Sequence, residues 1–206
     1  MKVGIVNYGM GNLASVRRAF EDLGVEVRVA QQPGALYEVD KIVLPGVGAF
    51  ADGMRHLREH AWDEAIRELV GRGTPMLGIC LGMQMLASHG EEGGGSPGLD
   101  LVPGMVIRLD QLGCTERIPH VGWNELHYAA DDPIFNGIPD ASDFYFVHSF
   151  GFQPANQADA IGHVPYGPKI TAVVKHGSVI GCQFHPEKSS KAGRRLLQNF
   201  LEWKPC

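Results

Sequence analysis

Short apolar runs that each lead into a glycine-rich turn constrain the fold of this chain more than any other feature. KVGIV at 2–6 leads into NYGMGN, and KIVL at 41–44 leads into PGVG. Between and after such runs, apolar residues recur at helical spacing, as in Leu13, Val16, Phe20 and Leu23 and in Trp62, Ala65, Ile66 and Leu69. Alternation of buried-type strands with amphipathic helices is typical of a parallel sheet covered by helices.

The second half of the sequence has a different pattern. Between residues 101 and 184 the strand-like runs MVIRL, FYFVHSF, KITAVVKHG and SVIGCQF follow one another closely, and Lys175-His176-Gly177 resembles a hairpin turn. Ser189 or Ser190 is expected to cap a last helix. We therefore predict one α/β domain over residues 1–206. It has a mostly parallel central sheet with helices on both faces and some antiparallel strands in the C-terminal half.

Composition excludes several classes of function. The net charge of -5 gives no basic footprint for nucleic acid, and no apolar run reaches the length of a membrane span. The first residues do not resemble a signal peptide. Cys80, Cys114, Cys182 and Cys206 form no C-x-x-C pair, which favours a reduced, cytoplasmic chain with neither disulfides nor a zinc site. We thus expect no nucleic acid, no membrane and no metal.

Cys80 lies in Gly78-Ile79-Cys80-Leu81-Gly82, which has the layout of a nucleophile elbow with cysteine in the serine position. A sharp strand-to-helix turn needs small neighbours, and it exposes the thiol at a helix N-terminus whose dipole favours the thiolate. The Leu81 N–H then points to where an oxyanion forms. The alternative is a buried core cysteine beside two incidental glycines.

A cysteine nucleophile needs a base and an orienting group, and nine histidines compete for the first role. His185 is favoured because it follows a strand and lies two residues before Glu187, with a proline between them. A lone histidine at a strand end is more often an ordinary surface residue. The elbow cysteine together with His-x-Glu favours catalysis.

Further motifs make a resemblance visible. GICLGMQ at 78–84 and QFHPEKS at 183–189 resemble the class I, triad-type glutamine amidotransferases. VNYGMGNL, PGVGAF, PHVGWNEL and FYFVHSF, which begin at residues 6, 45, 119 and 144, look like the glutaminase subunits of imidazole glycerol phosphate synthase. The motifs follow the family order along essentially the whole chain.

The resemblance implies a role for each matching residue. Cys80 would be the nucleophile, His185 the base and Glu187 its orienting group, and Gly46, Val47 and Leu81 would form the oxyanion hole. Gln84, Ser149 and Phe150 would bind glutamine, although Gln84 also fits a solvated helix residue. No cofactor is implied.

The resemblance also implies a partner. The sequence contains no evident second catalytic domain, so the ammonia acceptor would lie on a cyclase subunit, a (β/α)₈ barrel, in a heterodimer. Residues expected to face it are Asn12, Ser15, Trp123, Tyr145 and Lys188. Core packing is the alternative for Trp123 and Tyr145, and helix capping is the alternative for Asn12.

Three other functions remain open at this point. The chain could be the glutaminase of a different synthase, but the PHVGWN and NYGMGN stretches argue against it. It could be a free-standing cysteine hydrolase, which Gln84 and the short loops disfavour. A non-enzymatic scaffold is disfavoured by the intact Cys80, His185 and Glu187.

Overall fold

The structure is a computed structural model, and it describes residues 1–128 and 131–205. Cys206 lies outside the described residues. The α-helices are α1 (Leu13–Glu21), α2 (Phe50–Glu59), α3 (Trp62–Gly71), α4 (Leu81–Gln84) and α5 (Ser190–Glu202). The strands are β1 (Lys2–Val6), β2 (Glu26–Ala30), β3 (Lys41–Gly46), β4 (Met76–Cys80), β5 (His89–Gly90), β6 (Ser96–Pro97), β7 (Gly104–Arg108), β8 (His120–Leu126), β9 (Ser142–His148), β10 (Phe150–Pro154), β11 (Ala160–Pro165), β12 (Lys169–His176) and β13 (Val179–Cys182). Short 3₁₀ helices span Pro33–Glu38, Pro133–Phe135, Gln157–Asp159 and Pro186–Lys188.

A seven-stranded sheet forms the centre, in the order β11-β12-β13-β4-β3-β1-β2. Strands β2, β1, β3, β4 and β13 are parallel, whereas β12 runs antiparallel to β13 and β11 antiparallel to β12. A four-stranded sheet, β10-β7-β5-β6, and the hairpin β8-β9 complete the architecture. The predicted fold class is confirmed, while the assignment of 1–206 to one domain stays a prediction.

The central sheet has an apolar cluster on each face. Helices α1 and α5 pack one face through Phe20 and Phe200, and α2 and α3 pack the other through Met54 and Trp62. Successive residues of β3 alternate between the two clusters, as the period of a strand requires. This layering leaves the carboxyl ends of β3 and β4 free to carry a site.

Among residues 1–128 and 131–205, no helix is both long and apolar enough to cross a membrane. In the same ranges no three His, Cys, Asp or Glu side chains are grouped as metal ligands.

Candidate active site

Cys80 occupies a strained turn between β4 and α4, with φ of 54° and ψ of -110°. A cysteine in this region of backbone space costs about 1 to 3 kcal/mol, which the surrounding packing must offset. A Cβ on Gly82 would lie 1.8 Å from the Leu44 carbonyl oxygen, and one on Gly78 would lie 2.7 Å from the Gly82 oxygen. The two glycines are therefore required by the turn, not incidental to a core cysteine.

The helix that follows Cys80 is only about one turn long. It ends at Gln84, because Leu99 donates to the Met85 carbonyl oxygen and Leu101 donates to the Leu86 carbonyl oxygen at 2.8 and 2.9 Å. Those carbonyls would otherwise accept the next helical hydrogen bonds. A single turn has only a small dipole, so the dipole argument for the thiolate is weak here.

The thiol is also less exposed than predicted, since Cys80 is only 7% accessible. The β8-β9 hairpin and the end of β13 cover it. The thiol donates to the Val147 carbonyl oxygen at 3.9 Å, and Gln183 Nε2 donates to Sγ at 3.8 Å. These two long contacts position the sulfur. Cys80 also lines the pocket, so a substrate in the pocket can reach it.

His185 and Glu187 form a buried pair directly after β13. His185 Nδ1 lies 2.8 Å from Glu187 Oε1, with the two side chains 3% and 1% exposed. The Tyr145 carbonyl oxygen accepts the backbone N–H of His185 at 2.9 Å and so fixes the backbone at the base. His185 Nε2 is buried and has no hydrogen-bond partner within the described ranges, which leaves it available to the thiol.

The charge state of His185 results from opposing effects. Burial alone lowers the pKa of His185, but the charges of neighbouring Cys80 and Glu187 and the hydrogen bond to Glu187 outweigh it and raise the pKa to about 9. At neutral pH the imidazolium is therefore favoured, which is the form that stabilises a neighbouring thiolate. In this site His185, more than the helix dipole that was predicted to do so, favours the thiolate of Cys80.

Ser189 does not cap α5, contrary to the prediction. It occupies the N-cap position, but its hydroxyl donates to the His185 carbonyl oxygen at 2.6 Å and accepts from Tyr145 N at 3.0 Å. Those two bonds tie β9 to the segment that carries the base. The Ser189 oxygen accepts from the Tyr145 N–H in place of an N–H group of the first turn of α5, so it makes no cap hydrogen bond.

One pocket of about 490 Å³ contains Cys80 and His185 in its wall. The wall also includes the predicted substrate and oxyanion residues Val47, Leu81, Gln84, Ser149 and Phe150. Gly46 is buried at the end of β3, in register with Cys80, and lies behind this wall. The structure thus brings these residues, from four separate motifs, to one cavity.

Comparison with known proteins agrees with this geometry. The sequence profile of the family described as glutamine amidotransferase class-I matches residues 4–203. The chain belongs to the class-I glutamine amidotransferase family. The resemblance drawn from the motifs is confirmed.

Curated relatives within the family carry a more specific name. A protein of Moorella thermoacetica named imidazole glycerol phosphate synthase subunit HisH is 46% identical over 200 residues, covering 97% of this chain and 94% of that protein. The protein of the same name from Chlorobaculum tepidum is 43% identical, covering 98% and 100%. A solved glutamine amidotransferase aligns with TM-score 0.77 at 21% identity, over 97% of each chain, which shows the shared fold.

Gln84 of this family member is buried, not solvated. Its Nε2 donates to the Phe150 carbonyl oxygen and to Gln183 Oε1, both at 3.1 Å. Gln183 in turn donates to the Cys80 sulfur at 3.8 Å. The solvated interpretation of Gln84 is therefore wrong, because the side chain is held within the wall of the pocket.

Glu92 is a pocket residue that the sequence reasoning missed. Its Oε2 accepts from the Phe50 backbone N–H at 2.8 Å, at the start of α2. The pKa of Glu92 is raised, because burial and the charge of Asp52 outweigh the lowering effect of the hydrogen bond from Phe50. A carboxylate in this position is suited to an ammonium group. The only signal in the sequence is its place in the glycine-rich loop at 91–98, where loop residues often carry function.

The buried pair of His148 and His120 was also not predicted from the sequence, and His148 is part of the pocket wall. His148 Nδ1 must donate to the Phe150 carbonyl oxygen, 2.8 Å away, because a carbonyl only accepts. In neutral His148, Nε2 then accepts from His120 Nδ1 at 3.0 Å, and His120 Nε2 faces Asn124 Nδ2 at 3.5 Å. Burial lowers the pKa of His120 to about 4 and that of His148 to about 3, so both are neutral at pH 7.

The histidine pair predicts a pH-dependent stability. Between about pH 6.5 and 4, His120 and His148 are protonated in the unfolded chain but neutral in the native protein. The free energy of unfolding therefore falls as the pH is lowered. Each histidine contributes a slope of about 1.4 kcal/mol per pH unit. His185 is protonated in both states in this range and adds none.

Urea denaturation at a series of pH values tests this. His120→Phe keeps the ring that stacks on Phe146 and Tyr166 at 4.8 and 3.9 Å, and it should remove about half of the slope. The matched change at exposed His60, His60→Phe, should leave the slope intact. If the unfolding free energy depends equally on pH in wild type and His120→Phe, His120 is not held neutral in the native protein.

Of the residues predicted to face a partner, Trp123, Tyr145 and Lys188 lie close together, whereas Asn12 caps a helix. The Trp123 and Tyr145 rings lie edge to face at 6.0 Å, and Lys188 Nζ lies 5.8 Å from the Tyr145 ring centre. Trp123 is 52% exposed, so core packing does not explain it. Asn12 does cap α1, since its Oδ1 accepts from Ser15 N at 3.3 Å.

Proposed function

We propose that this chain hydrolyses glutamine to glutamate and ammonia and delivers the ammonia to a cyclase subunit, a (β/α)₈ barrel, in a heterodimer. The pair then makes imidazole glycerol phosphate and an aminoimidazole carboxamide ribonucleotide for histidine biosynthesis. Full-length identity of 41–46% to proteins named imidazole glycerol phosphate synthase subunit HisH supports the partner and the pathway. The observation that carries the chemistry is the buried His185–Glu187 pair beside an elbow cysteine.

The first half of the reaction forms a thioester. The Cys80 thiolate attacks the side-chain amide carbon of glutamine, and the carbonyl oxygen becomes an oxyanion. Protonated His185 gives its Nε2 proton to the amide nitrogen as the carbon–nitrogen bond breaks, so ammonia leaves. Glu187 holds His185 through Nδ1 and stabilises the imidazolium before this transfer.

The second half releases glutamate. Neutral His185 takes a proton from water, whose oxygen attacks the thioester carbon, and the sulfur leaves as thiolate. In both halves the oxyanion is stabilised by backbone N–H groups, which we assign to Leu81 after the nucleophile and to Val47 in the turn at 45–48. Each donor of this kind contributes about 100- to 1,000-fold to the rate.

Substrate recognition follows from the charges of glutamine. Its α-ammonium group is expected at Glu92, and its α-carboxylate at the backbone of Ser149 and Phe150. Gln84 holds the Phe150 carbonyl oxygen and so supports that segment. All four residues line the pocket that contains Cys80.

The outer face of the β8-β9 hairpin is the proposed docking surface for the cyclase subunit. Val121 and Trp123 are 55% and 52% exposed, and their cross-strand neighbours are Val147 and Tyr145. Exposed apolar side chains grouped with an aromatic ring are typical of interfaces. The backbone of β9 also contacts the site, because the carbonyl oxygens of Val147 and Tyr145 accept from Cys80 Sγ and from the His185 backbone N–H.

Trp123→Ala should weaken binding of the cyclase subunit about tenfold to a hundredfold, because a large, half-exposed aromatic side chain is a typical hot spot. Titration calorimetry of the two purified subunits measures this. Met105→Ala, at another exposed apolar residue, is the control and should bind as wild type does. Unchanged affinity of Trp123→Ala would exclude the hairpin face as the docking surface.

A glutaminase assay with and without the cyclase subunit and its nucleotide tests the proposed function. We expect slow hydrolysis by the isolated chain and strong stimulation by the loaded partner. Stimulation by the subunit of a different synthase would favour a glutaminase of that synthase, and fast turnover of peptides would favour a free-standing cysteine hydrolase. We expect the reaction to take place in the cytoplasm, since Cys80, Cys114 and Cys182 are free thiols.

A further inference from the structure

Tyr8, two residues after β1, carries a buried hydroxyl that has no part in the reaction steps assigned to Cys80, His185 and Glu187. The residue is 3% exposed, and its hydroxyl oxygen has no hydrogen-bond partner among residues 1–128 and 131–205. Burying a hydroxyl without a partner is unfavourable compared with leaving it in water or replacing it by a C–H group. A phenylalanine would fill the same space, so the hydroxyl needs a separate reason.

The hydroxyl of Tyr8 lies against the proposed oxyanion turn. A Cβ built on Gly46 would come 2.4 Å from this oxygen and 2.9 Å from Leu81 Cβ. Gly46 is the last residue of β3 and is in register with Cys80. Val47, Gly48 and Leu81 line the pocket in front, and Tyr8 lies behind them.

Tyr8 can act here only as a hydrogen-bond donor or acceptor in its neutral form. Burial raises the pKa of Tyr8 well above its usual value, and the charge of Cys80 raises it further. The phenol therefore keeps its proton near the thiolate. Its O–H is held ready for an acceptor that reaches the space behind Gly46.

The peptide between Gly46 and Val47 provides that acceptor. Glycines flank Val47 on both sides, and Gly48 has φ of 105°, so this peptide can rotate at low cost. Because the N–H and C=O of one peptide point in opposite directions, turning the Val47 N–H toward the substrate turns the Gly46 carbonyl oxygen away from it. In that orientation the Gly46 carbonyl oxygen faces the protein interior, where it needs a hydrogen-bond donor.

We propose that Tyr8 is a positioning residue of the oxyanion hole, whose hydroxyl donates to the Gly46 carbonyl oxygen when the Val47 N–H faces the substrate. This inference rests on the proposed glutaminase function. The hydrogen bond forms only in the active arrangement of the turn, so it shifts the population toward that arrangement. Tyr8 itself does not touch the substrate.

Tyr8→Phe removes the hydroxyl and keeps the ring. In the complex with the cyclase subunit and its nucleotide, we expect kcat for glutamine hydrolysis to fall about tenfold while KM is unchanged. The melting temperature of the isolated variant should equal or exceed that of wild type, since a buried donor without a partner is lost. Tyr37→Phe is the matched control, because its hydroxyl bonds exposed Glu68 far from the pocket, and it should keep full kcat.

Two further measurements separate this role from other causes. Alkylation of Cys80 by iodoacetamide forms no oxyanion, so its rate should be the same in Tyr8→Phe and wild type. Synthesis driven by ammonium salt should also be unchanged, which shows that the cyclase site is intact, and titration calorimetry with the cyclase subunit should show wild-type binding. Wild-type kcat retained in Tyr8→Phe, or a kcat loss matched by a lower melting temperature and slower alkylation, would overturn the inference. An inactive wild-type complex would instead overturn the proposed function on which it rests.

Discussion

Cys80→Ala should lower glutamine hydrolysis by about 10⁴-fold or more, the largest effect of any single substitution in this chain. The thiolate is the only group proposed to bond the substrate carbon, so no other side chain can replace it. Alanine keeps the Cβ that the turn at φ of 54° already accommodates, and it removes only the sulfur. Folding and partner binding should therefore be retained, although Cys80 is largely buried.

Steady-state glutamate release by the purified variant, alone and in the complex, measures the effect. The complex supplied with ammonium salt at high pH should still make imidazole glycerol phosphate, because that route does not use Cys80. Cys182→Ser is the control: this thiol is fully buried one strand away, and burial raises its pKa well above the usual value. Glutaminase activity that survives in Cys80→Ala and is lost in Cys182→Ser would assign the nucleophile elsewhere.

Glu187→Gln should lower kcat for glutamine hydrolysis by about 10³- to 10⁴-fold, since orienting carboxylates of this kind have effects of that size. The amide keeps the shape of the side chain but removes its charge, so the pKa of His185 should fall. Less imidazolium is then present at neutral pH to stabilise the thiolate and to protonate the leaving nitrogen. Glu187 is buried, which prevents water from restoring the lost interaction.

The pH dependence of stability provides an independent readout of Glu187→Gln. His185 has a raised pKa in the native state, so its stabilisation is complete below about pH 6.5 and is lost as the pH rises toward 9. Unfolding free energies measured between those values should decline in wild type and decline less in the variant. The exposed acid Glu64 supplies the control substitution Glu64→Gln. The same decline in Glu187→Gln as in wild type would show that Glu187 does not set the charge of His185.

Much of the fold could be predicted because local patterns coincide with burial. The runs at 2–6 and 41–44 became strands of the parallel sheet, and the apolar stripes of α1 and α3 became their buried faces. Helix α2 was not singled out, although Phe50, Met54 and Leu57 have helical spacing. The length of α4 could not be predicted, because residues 99–102 supply the hydrogen bonds that end it.

The candidate site was predictable where function requires unusual sequence. Glycines around a cysteine and a proline between His185 and Glu187 are local signals, and the structure places all three side chains together. Glu92, His148 and Tyr8 had no such signal. Their positions depend on contacts with residues 38 or more positions away, or on a second histidine 28 positions away, which no local pattern encodes.

Transfer of the amide nitrogen from glutamine to imidazole glycerol phosphate is the decisive test of the proposed function. Glutamine with a heavy-nitrogen label in its side-chain amide is given to the complex of this chain with the cyclase subunit and its nucleotide, in the presence of unlabelled ammonium at neutral pH. Mass spectrometry of the imidazole glycerol phosphate then reports the source of its nitrogen. We expect the product to carry the label with the wild-type chain and to lose it with Cys80→Ala. Product that remains unlabelled with the wild-type chain would show that this chain does not supply the ammonia.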